Sequence, residues 1–186
     1  MPRRRQSLDR AAVVDAAIAL VEQDGIGALG INRVARSLGI KPPSLYNHIS
    51  GGADLAWYVA RTGWHRMGVQ LDASPIVGDP TVDLAELCNV YRDFARSNPH
   101  LYEVMSTTPL RNDDPEYAPR MRASLALFSA QITALGATDD DAIHAMRALR
   151  SAMHGFIVLE IGGQFALDQT ASDSWRWMVA AVIGNI

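Results

Sequence analysis

Apolar residues recur three and four positions apart along most of this 186-residue chain, the spacing that lines one face of an α-helix. Val13, Ala16, Ala17 and Leu20 mark a first amphipathic helix over residues 8–24, and Val34, Ala35 and Leu38 mark a short second one. Gly39 stands just past the last apolar position of that second helix, where a left-handed residue closes the final turn. Ile40 is then placed to plug the angle to the next element. Pro42 and Pro43 suit a helix entry, where a missing N–H costs nothing, so a third helix is expected from near Pro43. Leu45 and Ile49, four apart, face inward on it and leave Pro42, Ser44, Tyr46, Asn47 and His48 at or near its outer face.

Breakers divide the rest. A helix is expected over residues 53–71, followed by a loop marked by Pro75, Gly78 and Pro80, and another over 82–97. Asn98-Pro99 interrupts the chain before a short helix at 101–105, and residues 109–115 read as a loop. Long helices follow at 116–135, 139–161 and 172–183, the second with Asp139, Asp140 and Asp141 at its positive end. No strand pattern competes, so the expectation is an all-α chain of about nine helices: a head over 1–52 and a larger body over 53–186.

The outward set of the third helix has groove-facing chemistry. Asn pairs bidentately with adenine, Ser hydrogen-bonds to base edge or phosphate, and Tyr, His and Lys41 reach phosphate oxygens. By spacing alone, an inert helical hairpin accounts for residues 31–49 as well as a DNA-reading pair does. Charge shifts the balance. Residues 1–48 hold seven bases against four acids, while the remainder holds 10 against 16, an asymmetry that the overall charge of −3 hides. A basic segment on an acidic body suits a chain that meets phosphate at one end only. Arg3, Arg4 and Arg5 read either as an arm along the DNA backbone or minor groove, or as a solvated tail.

Residues 20–49, LVEQDGIGALGINRVARSLGIKPPSLYNHI, closely resemble the N-terminal domain of tetracycline-repressor-type (TetR/AcrR) regulators. The likeness takes in the first helix, Gly25, the Val34-Ala35 and Leu38-Gly39 pairs, and Leu45-Tyr46-x-His48. Two places depart: Ile49 stands where an aromatic usually follows the histidine, and Gly51-Gly52 where a Ser-Lys pair usually opens the fourth helix. The resemblance implies double-stranded operator DNA as partner, contacted by Asn32, Arg33, Lys41, Pro42, Pro43, Ser44, Tyr46, Asn47 and His48. It also implies phosphate held at the start of the fourth helix, where Gly52 keeps backbone donors and loses a charge, so weaker anchoring is expected there. The segment LAELCNVYRDFARSNPHLYEVM resembles a subset of the family whose penultimate helix carries Trp-His-Gly. Here that position reads Met153-His154-Gly155.

In that family the last two long helices pair with those of a second subunit and the others enclose a ligand cavity. The residues permit both. Ala145, Ala148, Ala152, Gly155 and Leu159 form a smooth face for close helix approach, and Trp175, Met178, Val179, Val182 and Ile186 form an apolar stripe that needs covering. The cover is either the chain itself or a second copy. The homodimer reading places Ala148, Ala152, Gly155, Leu159, Trp175, Met178, Val179 and Val182 at the interface. Trp57, Trp64, Met67, Tyr91, Phe94, Tyr102, Met105, Phe128 and Met153 supply surface suited to a small apolar or amphipathic effector, with Arg150 and His154 as polar candidates. Ordinary core packing accounts equally for each aromatic or Met taken singly, and a surface or structural role for Arg150 and His154. The resemblance implies a repressor released from a near-palindromic operator by its ligand. The competing expectation is a DNA-binding regulator without a cavity, governed by a protein partner.

Other classes find little support. The lone Cys88 allows no internal disulfide and suits a reducing cytoplasm. Asp9, Arg10 and Asp15 interrupt what would otherwise resemble a signal peptide, and every apolar run is too short to span a membrane. The five histidines show no metal-ligand spacing, and no P-loop or dinucleotide fingerprint occurs, so neither enzymatic activity, nor a metal, nor a cofactor is expected.

Overall fold

Asp9 opens the first helix: its carboxylate accepts the Ala12 N–H at 2.8 Å, satisfying one of the donors a helix start leaves over. In the computed structural model, which describes residues 8–186, this helix is α1 (Arg10–Asp24), and a 3-10 turn (Ile26–Ala28) follows it. Then come α2 (Ile31–Ser37), α3 (Pro42–Leu45), α4 (Gly52–Asp72), α5 (Pro80–Ser97), α6 (Pro99–Thr107), α7 (Tyr117–Ala134), α8 (Asp139–Ile161) and α9 (Ala171–Ile183). The described residues are thus all-helical, with nine α-helices and no strand. None of these helices is long and apolar enough to cross a membrane.

The helices pack as two units, residues 8–64 with Asn98–Arg111, and His65–Ser97 with Asn112–Ile186. In the first, α1 turns Val13, Val14, Ala17, Ile18 and Val21 inward, and α2 and α3 add Val34, Ala35 and Leu45. Helix α6 packs on α1 and on the 3-10 turn, and the Leu101 N–H at its start is taken by Glu22 Oε1 at 3.2 Å. Gly63 lets α6 lie close to α4, since a Cβ there would fall 2.7 Å from Met105 Cγ. The short α6, which the sequence pattern starts at residue 101, begins at Pro99, a residue without an N–H to leave unpaired.

In the second unit α5 lies against α7, α8 and α9. Its buried Leu84, Leu87, Cys88, Tyr91, Phe94 and Ala95 meet a core completed by Ile132, Leu149, Met153, Ile157, Trp175, Val179 and Ile183. One buried ion pair crosses this core. Arg92 grips Glu160 through Nε–Oε2 at 2.8 Å and Nη2–Oε1 at 2.5 Å, beneath the rings of Phe156 and Trp175. Arg96 Nε adds a longer contact to the same carboxylate at 3.5 Å. At the start of α5 the buried Asp83 accepts the Val77 and Gly78 N–H groups, tying the preceding loop to the helix.

Candidate nucleic-acid interface

The turn between α2 and α3 is set by backbone chemistry. Gly39 adopts φ 68°, its N–H bonds to Arg36 O at 3.1 Å, and the Ile40 N–H bonds to Ala35 O at 3.0 Å. That nested pair of bonds closes α2 and fixes the direction in which the chain leaves it. Lys41 is extended and Pro42 takes the first helical position of α3. The regular part of α3 ends at Leu45, shorter than the pattern of residues 43–49 led us to expect. The chain completes the turn through Tyr46–His48, with the N–H groups of His48 and Ile49 both reaching Leu45 O, at 2.8 and 3.0 Å. Leu45 and Ile49 therefore keep their shared inward face without a full second turn of helix, and both are buried.

This frame presents a polar rim. Asn32, Arg33, Lys41, Pro43, Tyr46 and Asn47 are exposed, and Pro42, Ser44 and His48 are half-buried. Tyr46 exposes 57% of its surface, which leaves an aromatic in water unless something lies against it. Arg33 Nη2 sits 2.6 Å from Asp24 Oδ2, so its charge is already shared within the head. Arg3, Arg4 and Arg5 lie outside the described residues.

Several contributors here were not singled out by sequence reasoning. Arg10 Nε donates to the His48 carbonyl at 3.0 Å, bracing the end of the reading turn from α1. Asp54 accepts the Ser50 N–H at 2.9 Å and Arg111 Nη1 at 2.8 Å. Burial alone would push its carboxyl up, but the Ser50 N–H and the Arg111 guanidinium outweigh it and hold the group below the usual carboxylate range. No signal in the sequence joins Arg111 to Asp54, because 57 residues separate them.

The effector candidates are distributed over both units. Trp57, Trp64, Tyr102 and Met105 are buried in the first, and Met67, Tyr91, Phe94 and Met153 in the second. Phe128 and His154 are half-buried and Arg150 is exposed. Tyr117, which the sequence did not suggest, is buried near Tyr91 and Arg150. Burial pushes its phenol up to about 12, with the Arg150 charge opposing that rise. A recess of about 260 Å³ also lies at the α8–α9 connection, lined by Gln164, Phe165, Ala166, Leu167, Gln169, Ala171 and Ser174.

For the interface candidates the structure makes one correction. Ala148, Gly155 and Leu159 are exposed and Ala152, Met178 and Val182 half-buried, but Trp175 and Val179 are only 1% and 3% exposed. The Trp175 Nε1–H donates to Asn89 Oδ1 at 2.9 Å and its ring meets Phe156 edge-on. These two side chains are claimed by their own chain and have no surface left for a second copy. Trp177, two positions on, is 76% exposed instead.

An α2–turn–α3 frame with a polar rim defines a helix-turn-helix protein. Residues 13–55 match the family of bacterial regulatory proteins called tetR, and residues 84–182 match the tetracyclin repressor-like C-terminal domain. An uncharacterized HTH-type transcriptional regulator of Mycobacterium tuberculosis, Rv0681, is 32% identical over 167 residues, covering 86% of this chain and 73% of its own. Among solved structures, BioQ with its double-stranded DNA operator aligns at TM-score 0.72 and 21% identity, over 95% of this chain and 99% of its own. TetR of Acinetobacter baumannii AYE in complex with minocycline aligns at TM-score 0.75 and 18% identity, over 96% of each chain. The chain belongs to the TetR family and is a DNA-binding transcriptional regulator.

Proposed function

We propose that the protein is a cytoplasmic repressor that binds a near-palindromic operator as a homodimer and leaves it when a small apolar or amphipathic molecule occupies the C-terminal region. By function the chain then divides at Gly52, with the DNA reader in 1–52 and the sensing and pairing region in 53–186. The Trp-His-Gly subgroup is the proposed affiliation of that region, with Met153 in place of the tryptophan.

The observation that carries this reading is the pairing of two exposed features. One is the reading rim, with exposed Lys41, Tyr46 and Asn47 and half-buried Ser44 and His48 on a frame locked by Gly39. The other is an apolar surface on the last two long helices, where Val158, Leu159 and Trp177 stand exposed, as do the small Ala148, Ser151 and Gly155. Small residues let a second helix pair approach closely, and a two-fold pair of heads suits two half-sites one DNA turn apart. The buried Met67, Tyr91, Phe94 and Met153 of the second unit, which also holds His154 and Arg150, supply chemistry for an apolar effector, which would act by favouring the state whose heads are wrongly spaced.

The test is a duplex enriched by the protein from a random library, followed by titration at the stoichiometry of two chains per duplex. Asn47→Ala is expected to relax preference at one base position in each half-site, while a uniform loss across all duplexes would refute its base-reading role. A compound screen by thermal shift, with and without the duplex, tests the sensor. A hit that stabilises the free chain and releases DNA supports it, and release only by an added protein would favour a partner-governed module.

A further inference from the structure

The surface around the exit from the reading turn carries a concentration of arginine that the helix-turn-helix itself does not explain. Three guanidinium groups gather on α1, α4 and the chain after α6. Arg10 and Arg61 lie over the Tyr58 ring at 4.6 and 4.9 Å, and Arg111 lies 5.5 Å from the Trp57 ring centre while bonding Asp54. Arg10 also acts on the Asp54 charge. Asp54 is thus the acid that Arg10 and Arg111 share, and it is only 15% exposed, whereas the Arg111 side chain is 42% exposed.

The placement relative to the reading turn is what gives this patch a use. Arg10 holds the carbonyl of His48 and Asp54 holds the N–H of Ser50, so the backbone immediately after Tyr46 and Asn47 is tied at one point to a guanidinium and at the next to the carboxylate that Arg111 pairs with. Arg111 uses Nη1 on Asp54, and with its side chain 42% exposed no described hydrogen bond engages its Nε or Nη2. A planar guanidinium has five donors in a fixed fork, so one edge can hold a carboxylate while another takes a phosphate oxygen. Stacking on Trp57 limits the rotamers it must give up when it does so.

We propose that Arg111 is a DNA-backbone contact: anchored on Asp54 and Trp57, it presents its free edge to a phosphate beside the bases that Tyr46 and Asn47 face, with Arg10 as its neighbour across the turn. This places a determinant of operator affinity in the segment after α6, outside the 1–52 reader. It rests on the operator-binding reading, and the experiment separates the two.

A duplex enriched from a random-sequence library by the wild-type protein is titrated by fluorescence anisotropy from about 50 to about 200 mM salt, with wild type, R111Q, R111K and R111Q/G52K. Loss of one phosphate contact makes the log–log salt slope shallower by about one, so the affinity gap between wild type and R111Q should close about threefold across that range. R111K is expected to keep the wild-type slope. A lysine at position 52, where a Cβ meets nothing within 4 Å, should restore the slope in R111Q. An R111Q slope equal to wild type, at whatever affinity, overturns the proposal and leaves Arg111 as a structural tie. Should R111Q lower the melting temperature, D54N decides: its amide oxygen still takes the Ser50 N–H but no longer pairs with the Arg111 charge, so affinity should fall through the lost anchor while the wild-type salt slope is kept, and unchanged affinity overturns the proposal. Failure of the wild type to enrich any duplex overturns the operator reading along with this one, whereas an enriched duplex with an unaltered R111Q slope overturns this one alone.

Discussion

At Gly39 the chain needs a backbone conformation that L side chains avoid, because a Cβ at φ 68° crowds the following carbonyl. Space is not the obstacle, since an added Cβ would meet nothing within 4 Å. Gly39→Ala is therefore expected to lower unfolding stability by about 1–2 kcal/mol through backbone strain alone, read from the midpoint of a urea titration at unchanged slope. A loss near zero would mean that the turn relaxes to another geometry, and DNA binding would then fall more than stability does. Trp175 and Trp177 make a second contrast at this scale. Trp175→Ala removes a ring buried against Phe156 and Asn89 and should cost about 3–5 kcal/mol of stability, whereas Trp177→Ala should leave melting of the isolated chain close to wild type.

At the scale of elements, two ion pairs behave differently because their solvent exposure differs. Arg92 and Glu160 expose 7% and 12% of their side chains, so removing one partner strands a charge in the core of the second unit. Glu160→Ala is expected to destabilise by about 3–5 kcal/mol, and a paired Arg92→Met, Glu160→Leu variant by markedly less. A double variant as unstable as the single one would show that the pair itself, and not the stranded charge, carries the effect. Asp72 on α4 meets Arg120 on α7 at 2.5 and 2.7 Å, and the Asp72 side chain is 47% exposed. The Arg120 hydrogen bond holds the Asp72 carboxyl below 3.8 despite the opposing effect of burial. A carboxyl lowered by folding adds stability that is full above its unfolded pKa and disappears as pH falls through the folded value. Asp72→Asn should therefore reduce stability at neutral pH and flatten the acid limb of the stability curve below 3.8. Urea midpoints measured from neutral pH down to about pH 2 give the comparison, and an unaltered limb would rule the pair out as a source of acid sensitivity.

At the scale of the whole molecule, the proposed association of two chains through the exposed side of α8 and α9 is tested at Trp177, which is 76% exposed. Trp177→Glu places a charge at the centre of the proposed contact and should shift the protein from dimer to monomer in sedimentation, with operator affinity falling because the second head is lost. Trp177→Glu that remains dimeric and binds as before would move the interface elsewhere.

Much of this architecture was legible from residue spacing. The bounds of α8 and the ends of α1 and α5 follow from periodicity and breakers, because capping and helix-ending chemistry are local: Thr138 precedes α8, and Gly162-Gly163 ends it with the Gln164 N–H bonded back to Leu159 O. The inward set of the reader, Val34, Ala35, Leu45 and Ile49, was equally local. The length of α3 was less so, since two prolines and the glycines after Ser50 leave its second half to a turn organised by the Leu45 carbonyl and by Arg10 and Asp54 from distant helices. The apolar stripe of α9 was readable as a stripe, but its occupant was not. Periodicity reports that a face must be covered and is silent on which neighbour covers it.

The sequence by itself determined the helical class, the order and approximate extent of the helices, and the residues of the reading turn, because each depends on neighbours within about one or two turns of chain. The tertiary structure decided what depends on distant neighbours: that α6 packs with the first unit, that Trp175 belongs to the core while Trp177 faces water, and that Arg111 meets Asp54 beside the reading turn. Burial and ion pairing are properties of positions in space, and folding brings those positions together across separations that no local pattern encodes.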